Sequence, residues 1–227
     1  MNRIKFDNYE HLAKEDRPSL NSCVADMLAE FLQIFTHAVL HVRDVYPNNA
    51  FTTQKYLDIP VQLCSHPGVS KYVTSAVSSI RRWCKSDGLL KFGIFLVDAF
   101  DNVHERFVFT IYAIDRGSID QQTKELESSI AKLEKSFRDC ILSTQQFAPS
   151  NNDNCDISFY RFRIGVQLLP HISTEPVAVE EFSWKGRAID DKLDQTAPFS
   201  ESIDTDLIQM RVSFDQYSLN TLVPGDD

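Results

Sequence analysis

Two histidines of one predicted helix have the spacing that could bind a metal ion. His37 and His41 stand four residues apart, so a helix would place both rings on one face. The zinc-protease pattern needs a glutamate directly after the first histidine, but Ala38 follows here, and no third ligand is evident. We therefore expect no metal site and interpret the two residues as histidines of a polar flank or a core edge.

The glycine content argues against a catalytic function. The chain has 7 glycines and contains no P-loop, no G-x-G-x-x-G and no G-x-S-x-G motif. Turns that cradle a phosphate or present a nucleophile are therefore not predicted. We expect the protein to be no enzyme and to bind no cofactor.

Trp184 is the residue with the clearest signal for binding. It lies beside acidic residues in a segment without helical or strand periodicity, which is typical of an aromatic anchor for a peptide. The alternative is a tryptophan packed in the core or placed in a disordered tail. Plain disorder is disfavoured because the segment is too apolar for a solvated acidic tail. Its apolar residues are Val177, Val179, Phe182, Trp184, Ile189, Leu193, Phe199 and Ile203.

The net charge of -9 is concentrated at the C-terminal end of the chain. Residues 1–169 hold 19 Lys and Arg against 20 Asp and Glu, whereas residues 170–227 hold 4 against 12. Neutralisation of phosphates by Lys and Arg supplies most nucleic-acid affinity. We therefore expect no direct binding of nucleic acid.

Cysteine usage and hydropathy predict a soluble intracellular protein. Five cysteines are an odd number, and no C-x-x-C pair is present, which favours free thiols in a reducing compartment. No apolar run approaches the ~20 residues that cross a bilayer. The N-terminal residues also lack the apolar centre of a signal peptide. We expect no association with a membrane.

Apolar periodicity predicts three helices. The first covers residues 22–46 and ends before Pro47, and the second begins at Pro67 and stops at Gly88. A third helix follows the capping box formed by Ser118 and Gln121. The first two have a continuous apolar stripe, so we expect both in the core.

Extended segments lie between and after these helices. Residues 47–64 read as extended chain or a small hairpin, and residues 89–98 and 104–115 read as two strands joined by a turn. Residues 157–169 and 206–214 alternate between apolar and polar side chains, as strands with one buried face do. Residues 170–205 show no period. A segment of that length, held by a strand at each end, can pass around a ligand.

A series of short motifs follows one order along the chain: Val24-Ala25-Asp26, Glu30-Phe31-Leu32, Val42-Arg43-Asp44-Val45-Tyr46-Pro47, Pro60-Val61-Gln62, His66-Pro67, Tyr72 and Arg106-Phe107-Val108-Phe109. Together these motifs resemble the HORMA-domain family, and within it the accessory subunits of translesion DNA polymerase zeta. The likeness covers residues 20–115 well and returns near Phe182-Ser183-Trp184 and in the last strand.

This resemblance implies an α+β fold in which three helices pack on an antiparallel sheet. Residues 1–20 would be an N-terminal extension, residues 21–169 the HORMA core, and residues 170–227 a C-terminal safety belt of the same domain. In the family the belt wraps an extended peptide of a partner and adds its last strand to the sheet. The peptide is held by backbone hydrogen bonds and aromatic pockets.

The resemblance also implies site residues. Tyr72 matches the family position that contacts the partner peptide together with the belt tryptophan, here Trp184, with Phe182 beside it. Tyr72 also lies on the apolar stripe of its helix, so a packing role is the alternative. The peptide belongs to the catalytic subunit of polymerase zeta and contains proline, which suits stacking on aromatic rings.

Further partners follow from the same resemblance. Asp44 and Arg138 match positions on the face through which HORMA domains dimerise, and the alternative is an exposed pair of little energetic weight. Arg211 and Ser213 fall where relatives carry Gln and Tyr that contact the C-terminal domain of the lesion-bypass deoxycytidyl transferase. An AAA-type ATPase would open the belt.

The function that the resemblance implies is a non-catalytic adaptor in the nucleus. It would capture the polymerase-zeta peptide under its belt and bridge it to the insertion polymerase in translesion DNA synthesis and the DNA damage response. A spindle-checkpoint protein or a meiotic chromosome-axis protein that binds closure peptides is the alternative within the same family.

Overall fold

Three helices and seven strands make up the described part of the chain in a computed structural model. The structure describes residues 20–86, 88–114, 123–146, 161–170 and 199–216. The helices are α1 (Leu20–Val42), α2 (Pro67–Lys85) and α3 (Thr123–Gln146). The strands are β1 (Phe51–Tyr56), β2 (Ile59–Cys64), β3 (Leu89–Val97), β4 (Val103–Ile114), β5 (Arg161–Leu168), β6 (Phe199–Asp204) and β7 (Ile208–Gln216).

The first helix ends four residues earlier than predicted, and its stop is not proline. The Val45 N–H donates to the Leu40 carbonyl and the Asp44 N–H donates to the His41 carbonyl. Asp44 has a φ of 49°, in the left-handed region. This is a Schellman motif, which satisfies the last carbonyls of a helix and is usually built on glycine. A search for proline or glycine therefore misplaces the end of α1.

Residues 51–64 form the small hairpin that the sequence predicted as one of two possibilities. β1 and β2 pair in antiparallel register from Phe51 with Cys64 to Tyr56 with Ile59. The two turn residues, Leu57 and Asp58, both have positive φ, as a two-residue hairpin turn of type I′ requires. This pair is a separate two-stranded sheet.

The remaining strands form one antiparallel sheet in the order β5-β3-β4-β7-β6. The predicted strands at residues 89–98, 104–115 and 206–214 correspond to β3, β4 and β7, and β5 lies within the predicted strand 157–169. The expectation that residues 170–205 contain no strand is wrong, because β6 occupies Phe199–Asp204 and pairs with β7. Only Phe199 and Ile203 of its six residues are apolar, which is too little alternation to identify a strand from the sequence alone.

The core lies between the helices and one face of this sheet. Phe31 of α1 stacks on Phe137 of α3 with ring centres 4.2 Å apart, and Phe35 meets Phe109 of β4 edge-on at 4.7 Å. These rings join α1, α3 and the sheet into one buried cluster. The predicted α+β arrangement of three helices on an antiparallel sheet is thus confirmed.

The structure corrects the hydropathy expectation for α1 and agrees with the expectation of free thiols for the four cysteines that it describes. Residues Ser22–Val42 are long and apolar enough to cross a membrane, contrary to the expectation that no such run exists, but 83% of that window is buried inside the protein, as in a core helix. Cys23, Cys64, Cys84 and Cys140 are free and buried, whereas Cys155 lies outside the described residues. The predicted capping box at Ser118 and Gln121 also lies outside them.

Buried ion pairs hold the last strand against β4. Arg106 Nε lies 2.6 Å from Asp215 Oδ2, and the two side chains are 5% and 6% exposed. Arg43 Nε, at the end of α1, lies 3.0 Å from Glu105 Oε2, within ion-pair distance but not aligned as a hydrogen bond. The same guanidinium lies 4.8 Å from the centre of the Phe214 ring. Opposite charges are thus fixed at the junction of α1, β4 and β7.

Candidate functional site

The outer edge of β5 is the part of the fold prepared for an additional strand. Among the described residues, β5 pairs with β3 on one side and with no strand on the other. The Ile164 N–H points to that outer side, because it donates to the Tyr72 hydroxyl oxygen at 3.1 Å. Strand geometry repeats every two residues, so the N–H and C=O groups of Phe162 and Val166 point outward as well.

Three aromatic rings border this edge. Phe162 meets Tyr72 of α2 at 5.3 Å between ring centres, and it meets Tyr46, just after α1, at 6.3 Å. Both contacts are edge-to-face, with interplanar angles of 88° and 87°. We call Tyr46, Tyr72, Phe162 and the outward groups of β5 the β5 edge site. Aromatic surface beside outward-pointing backbone groups of a strand is what binding by strand addition uses.

The position of Tyr72 follows from the pattern of α2. The helix begins at Pro67, and its buried stripe of Val69, Val73, Ala76 and Val77 faces the core. Tyr72 lies next to this stripe and is half-buried, which leaves its hydroxyl at the strand edge. Burial raises the pKa of the Tyr72 hydroxyl, although the hydrogen bond from Ile164 acts to lower it. Tyr72 therefore stays neutral at physiological pH.

The predicted peptide contacts are only partly within the described structure. Tyr72 lies at the β5 edge site, whereas Trp184 and Phe182 fall outside the described residues. The sequence alone does not assign Tyr46 and Phe162 to this site. Tyr46 is part of a motif of the family resemblance, and Phe162 is one of the apolar residues of the alternating strand predicted at residues 157–169. Their proximity to Tyr72 arises from contacts between distant parts of the chain.

The predicted dimer-face residues are both on the surface but make no ion pair with each other within the described residues. Asp44 is exposed and occupies the left-handed position that ends α1. Arg138 lies on α3, half-buried, with its Nε 3.9 Å from Asp139 Oδ1. The role of these residues in a dimer stays a prediction.

The two predicted insertion-polymerase contacts differ in exposure. Arg211 is exposed on β7, and its Nε donates to the Ser200 hydroxyl at 2.8 Å. Ser213 is only 4% exposed and lies against the Val108 carbonyl at 3.5 Å. As the chain is folded here, Arg211 offers a surface to a partner and Ser213 does not. Both assignments stay predictions.

The histidine pair considered for metal binding has other contacts. His37 is buried, and its Nδ1 accepts a hydrogen bond from the Cys64 N–H at 3.2 Å, which ties α1 to β2. Burial lowers the pKa of His37 to about 4. His41 lies 5.0 Å from the Phe51 ring centre. Within the described ranges, no group of three His, Cys, Asp or Glu side chains could hold a metal ion.

Comparison with known proteins gives relatives for part of the chain. No family model matches it. It is 32% identical over 114 residues to the mitotic spindle assembly checkpoint protein MAD2B of Gallus gallus, which covers 50% of this chain and 53% of that protein. It is 29% identical over 89 residues to the DNA polymerase zeta processivity subunit of Arabidopsis thaliana, covering 39% and 41%. The chain spans about half the length of these relatives or less.

Solved structures show the same fold at low identity. A chain of the mitotic checkpoint complex has a TM-score of 0.61 at 14% identity, with 86% of this chain and 94% of that chain covered. HTP-2 of C. elegans bound to the HIM-3 closure motif has a TM-score of 0.59 at 10% identity, covering 86% and 91%. The protein has the HORMA fold, and the predicted resemblance to the accessory subunits of DNA polymerase zeta is confirmed by these relatives.

Proposed function

We propose that this protein is a non-catalytic HORMA adaptor that captures a proline-containing peptide of the catalytic subunit of DNA polymerase zeta. The peptide adds as a strand to the β5 edge site, and the C-terminal segment at residues 170–227 closes over it as a safety belt. The observation that carries the proposal is the outward N–H and C=O groups of β5 beside Tyr72, Tyr46 and Phe162.

The names of the relatives support an adaptor rather than an enzyme. One is a processivity subunit of DNA polymerase zeta and others are checkpoint proteins, both of which point to a non-catalytic role. The HTP-2 structure holds a closure motif of another protein, so a HORMA fold can capture a peptide. Capture of the polymerase-zeta peptide by this chain is our inference from these names and from the β5 edge site.

The physical basis of capture is strand addition combined with aromatic packing. Backbone hydrogen bonds to the outward groups of Phe162 and Val166 give affinity without depending on the peptide sequence. Proline rings of the peptide pack on Tyr72 and, in our proposal, on Trp184 with Phe182 alongside. The peptide binds the closed conformation of the belt more tightly than the open one. Because the belt must open before the peptide is released, dissociation is slow.

The remaining assignments belong to the same proposal. The adaptor bridges the captured peptide to the C-terminal domain of the lesion-bypass deoxycytidyl transferase through the surface around Arg211, in translesion DNA synthesis within the nucleus. Asp44 and Arg138 lie on a dimer face, and an AAA-type ATPase opens the belt. Residues 1–20, 21–169 and 170–227 are the extension, the core and the belt.

A spindle-checkpoint function is the second candidate. It is favoured by the checkpoint names of the MAD2B relatives and by the fold of the mitotic checkpoint complex. In that case the β5 edge site would capture a peptide of a checkpoint ligand. The two candidates share the site and differ in the peptide.

Calorimetric titration with the polymerase-zeta peptide tests the proposal. We expect the wild-type chain to bind it, and Tyr72→Ala and Trp184→Ala each to weaken binding by roughly 30-fold or more, as loss of a ~2 kcal/mol aromatic anchor does. Tyr112→Ala is the matched control, because Tyr112 is an exposed tyrosine of β4 that does not border β5. A wild-type chain that ignores this peptide but captures a checkpoint ligand would support the second candidate.

A further inference from the structure

The turn between β3 and β4 exposes a phenylalanine to solvent. Phe100 is 86% exposed, and among the described residues the other large apolar side chain with high exposure is Tyr112 at 65%. We call residues 98–102 the Phe100 turn. A single exposed apolar residue is ordinary on a protein surface, so its meaning depends on how the turn is held and where it lies.

The Phe100 turn is braced from within by one carboxylate. Asp98 Oδ1 accepts hydrogen bonds from the N–H groups of Phe100 at 2.8 Å and of Asn102 at 2.9 Å. Asp98 Oδ2 accepts from Asn102 Nδ2 at 2.9 Å and lies 3.1 Å from His104 Nε2. The Phe100 ring is therefore carried on a pre-organised turn. A group held in its binding conformation loses little entropy when a partner covers it.

Two arginines of β5 link the turn to that strand. Arg161 Nη2 donates to the Ala99 carbonyl at 2.9 Å, and Arg163 Nη1 lies 2.7 Å from Asp101 Oδ2. Arg161 is the first residue of β5 and pairs with Val97, three residues before Phe100. The turn thus extends past the Arg161 end of β5. A peptide added to the β5 edge site would reach it by crossing that end of the strand, over two to three strand spacings of ~4.8 Å each.

Arg161 also leaves its positive charge available. Its guanidinium is exposed, and its hydrogen bond goes to a neutral carbonyl. Within the described residues, no carboxylate lies within ion-pair distance of it, whereas Arg163 is paired with Asp101. An acidic side chain of a passing peptide would find a cation there, and an apolar one would find the Phe100 ring.

We propose that the Phe100 turn is a second subsite for the peptide that adds to β5. It takes the part of the peptide that runs beyond Arg161, and it selects an apolar side chain against Phe100 together with an acidic side chain at Arg161. This inference rests on the proposed strand addition at β5. The Phe100 turn is a separate surface from the β5 edge site, and it contacts the peptide residues that flank the proline-containing core.

The test uses one peptide core with two kinds of flank. The probe is the proline-containing core of the polymerase catalytic subunit, extended at both ends either by Gly and Ser or by alternating Glu and Leu. In calorimetric titration of the full chain, we expect the Glu-Leu flanks to improve the wild-type affinity by about tenfold, which corresponds to ~1.4 kcal/mol. Phe100→Ser should remove this gain and leave the affinity for the Gly-Ser probe unchanged.

Matched variants assign the gain to the turn. Tyr112→Ser removes another exposed aromatic residue and should keep the tenfold gain. Arg161→Gln should reduce the gain about threefold at low salt, as a screened surface charge does. Lys135→Gln, which removes an exposed charge of α3, should leave the gain unchanged. Equal wild-type affinity for the two probes, or a gain that persists in Phe100→Ser, would overturn the second subsite while leaving strand addition intact. Failure of both probes to bind the wild type would overturn both proposals.

Discussion

The two outer strands of the five-stranded sheet, β5 and β6, are built differently. β6 has six residues, and Ser200, Ser202 and Asp204 are exposed, so it is a short polar edge of the kind that resists pairing with another chain. β5 has eight residues and is bordered by Tyr46, Tyr72 and Phe162. One edge is thus protected against strand addition, and the other offers backbone groups beside aromatic surface.

The means of attachment differ between these two sides as well. Beside its buried apolar residues, the β6–β7 hairpin is held by charged groups: Asp215 pairs with Arg106 of β4 inside the protein, and Asp206 accepts from Ser129 and Lys132 of α3. On the β5 side the ion pair of Arg163 with Asp101 is partly exposed, and the contact with α2 is aromatic, with one hydrogen bond from strand to tyrosine. We infer that loss of a charge affects the hairpin side most, whereas loss of a ring affects ligand capture at β5.

The largest expected effect is on the hairpin side. Arg106→Leu leaves the Asp215 carboxylate buried without its ion-pair partner, which should lower the free energy of unfolding by about 3–5 kcal/mol. Urea denaturation measures this. The double variant Arg106→Leu/Asp215→Leu should recover most of the loss, because no charge remains buried. Lys132→Ala, which breaks an exposed pair with Asp206, should cost less than ~1 kcal/mol. If Arg106→Leu also lowered the free energy of unfolding by less than ~1 kcal/mol, the buried ion pair would not stabilise the hairpin side as proposed.

Proline substitutions in β5 test its two edges one at a time. The Val166 N–H points outward, so Val166→Pro should leave β5 paired with β3 but remove a donor and block strand addition. We expect a loss of peptide affinity of roughly 30-fold or more, equivalent to ~2 kcal/mol. Gln167→Pro is the control, because its N–H faces β3 and its loss should destabilise the fold itself. Unchanged affinity in Val166→Pro would exclude β5 as the docking edge.

The smallest effect concerns the hydroxyl of Tyr72. Tyr72→Phe keeps the ring but removes the acceptor of the Ile164 N–H, which should cost about 1 kcal/mol of stability. Amide hydrogen exchange should show faster exchange at Ile164, and peptide affinity should change less than in Tyr72→Ala. Tyr112→Phe, at an exposed position, should change none of these quantities. Equal loss of affinity in Tyr72→Phe and Tyr72→Ala would mean that the hydroxyl, not the ring, holds the peptide.

Much of the architecture could be predicted from local patterns. The apolar stripes of α1 and α2, the hairpin of β1 and β2, and the alternation of β7 depend on neighbouring residues only, so they are visible in the sequence. The end of α1 was misplaced because aspartate, not glycine, adopts the left-handed position at residue 44. β6 is not recognised from the sequence because its alternation is short, and pairing with β7 is what makes the segment a strand.

The sequence by itself determined the helices, most strands, the faces they bury and the place of Tyr72 on α2, since periodicity and turn chemistry act over a few residues. The tertiary structure decided which strands became neighbours and which strands lie at the two edges of the described sheet. It brought Phe162 to Tyr46 and Tyr72, and Arg106 to Asp215 across 109 residues of chain. Such contacts depend on how whole elements pack, and a local pattern carries no record of that packing.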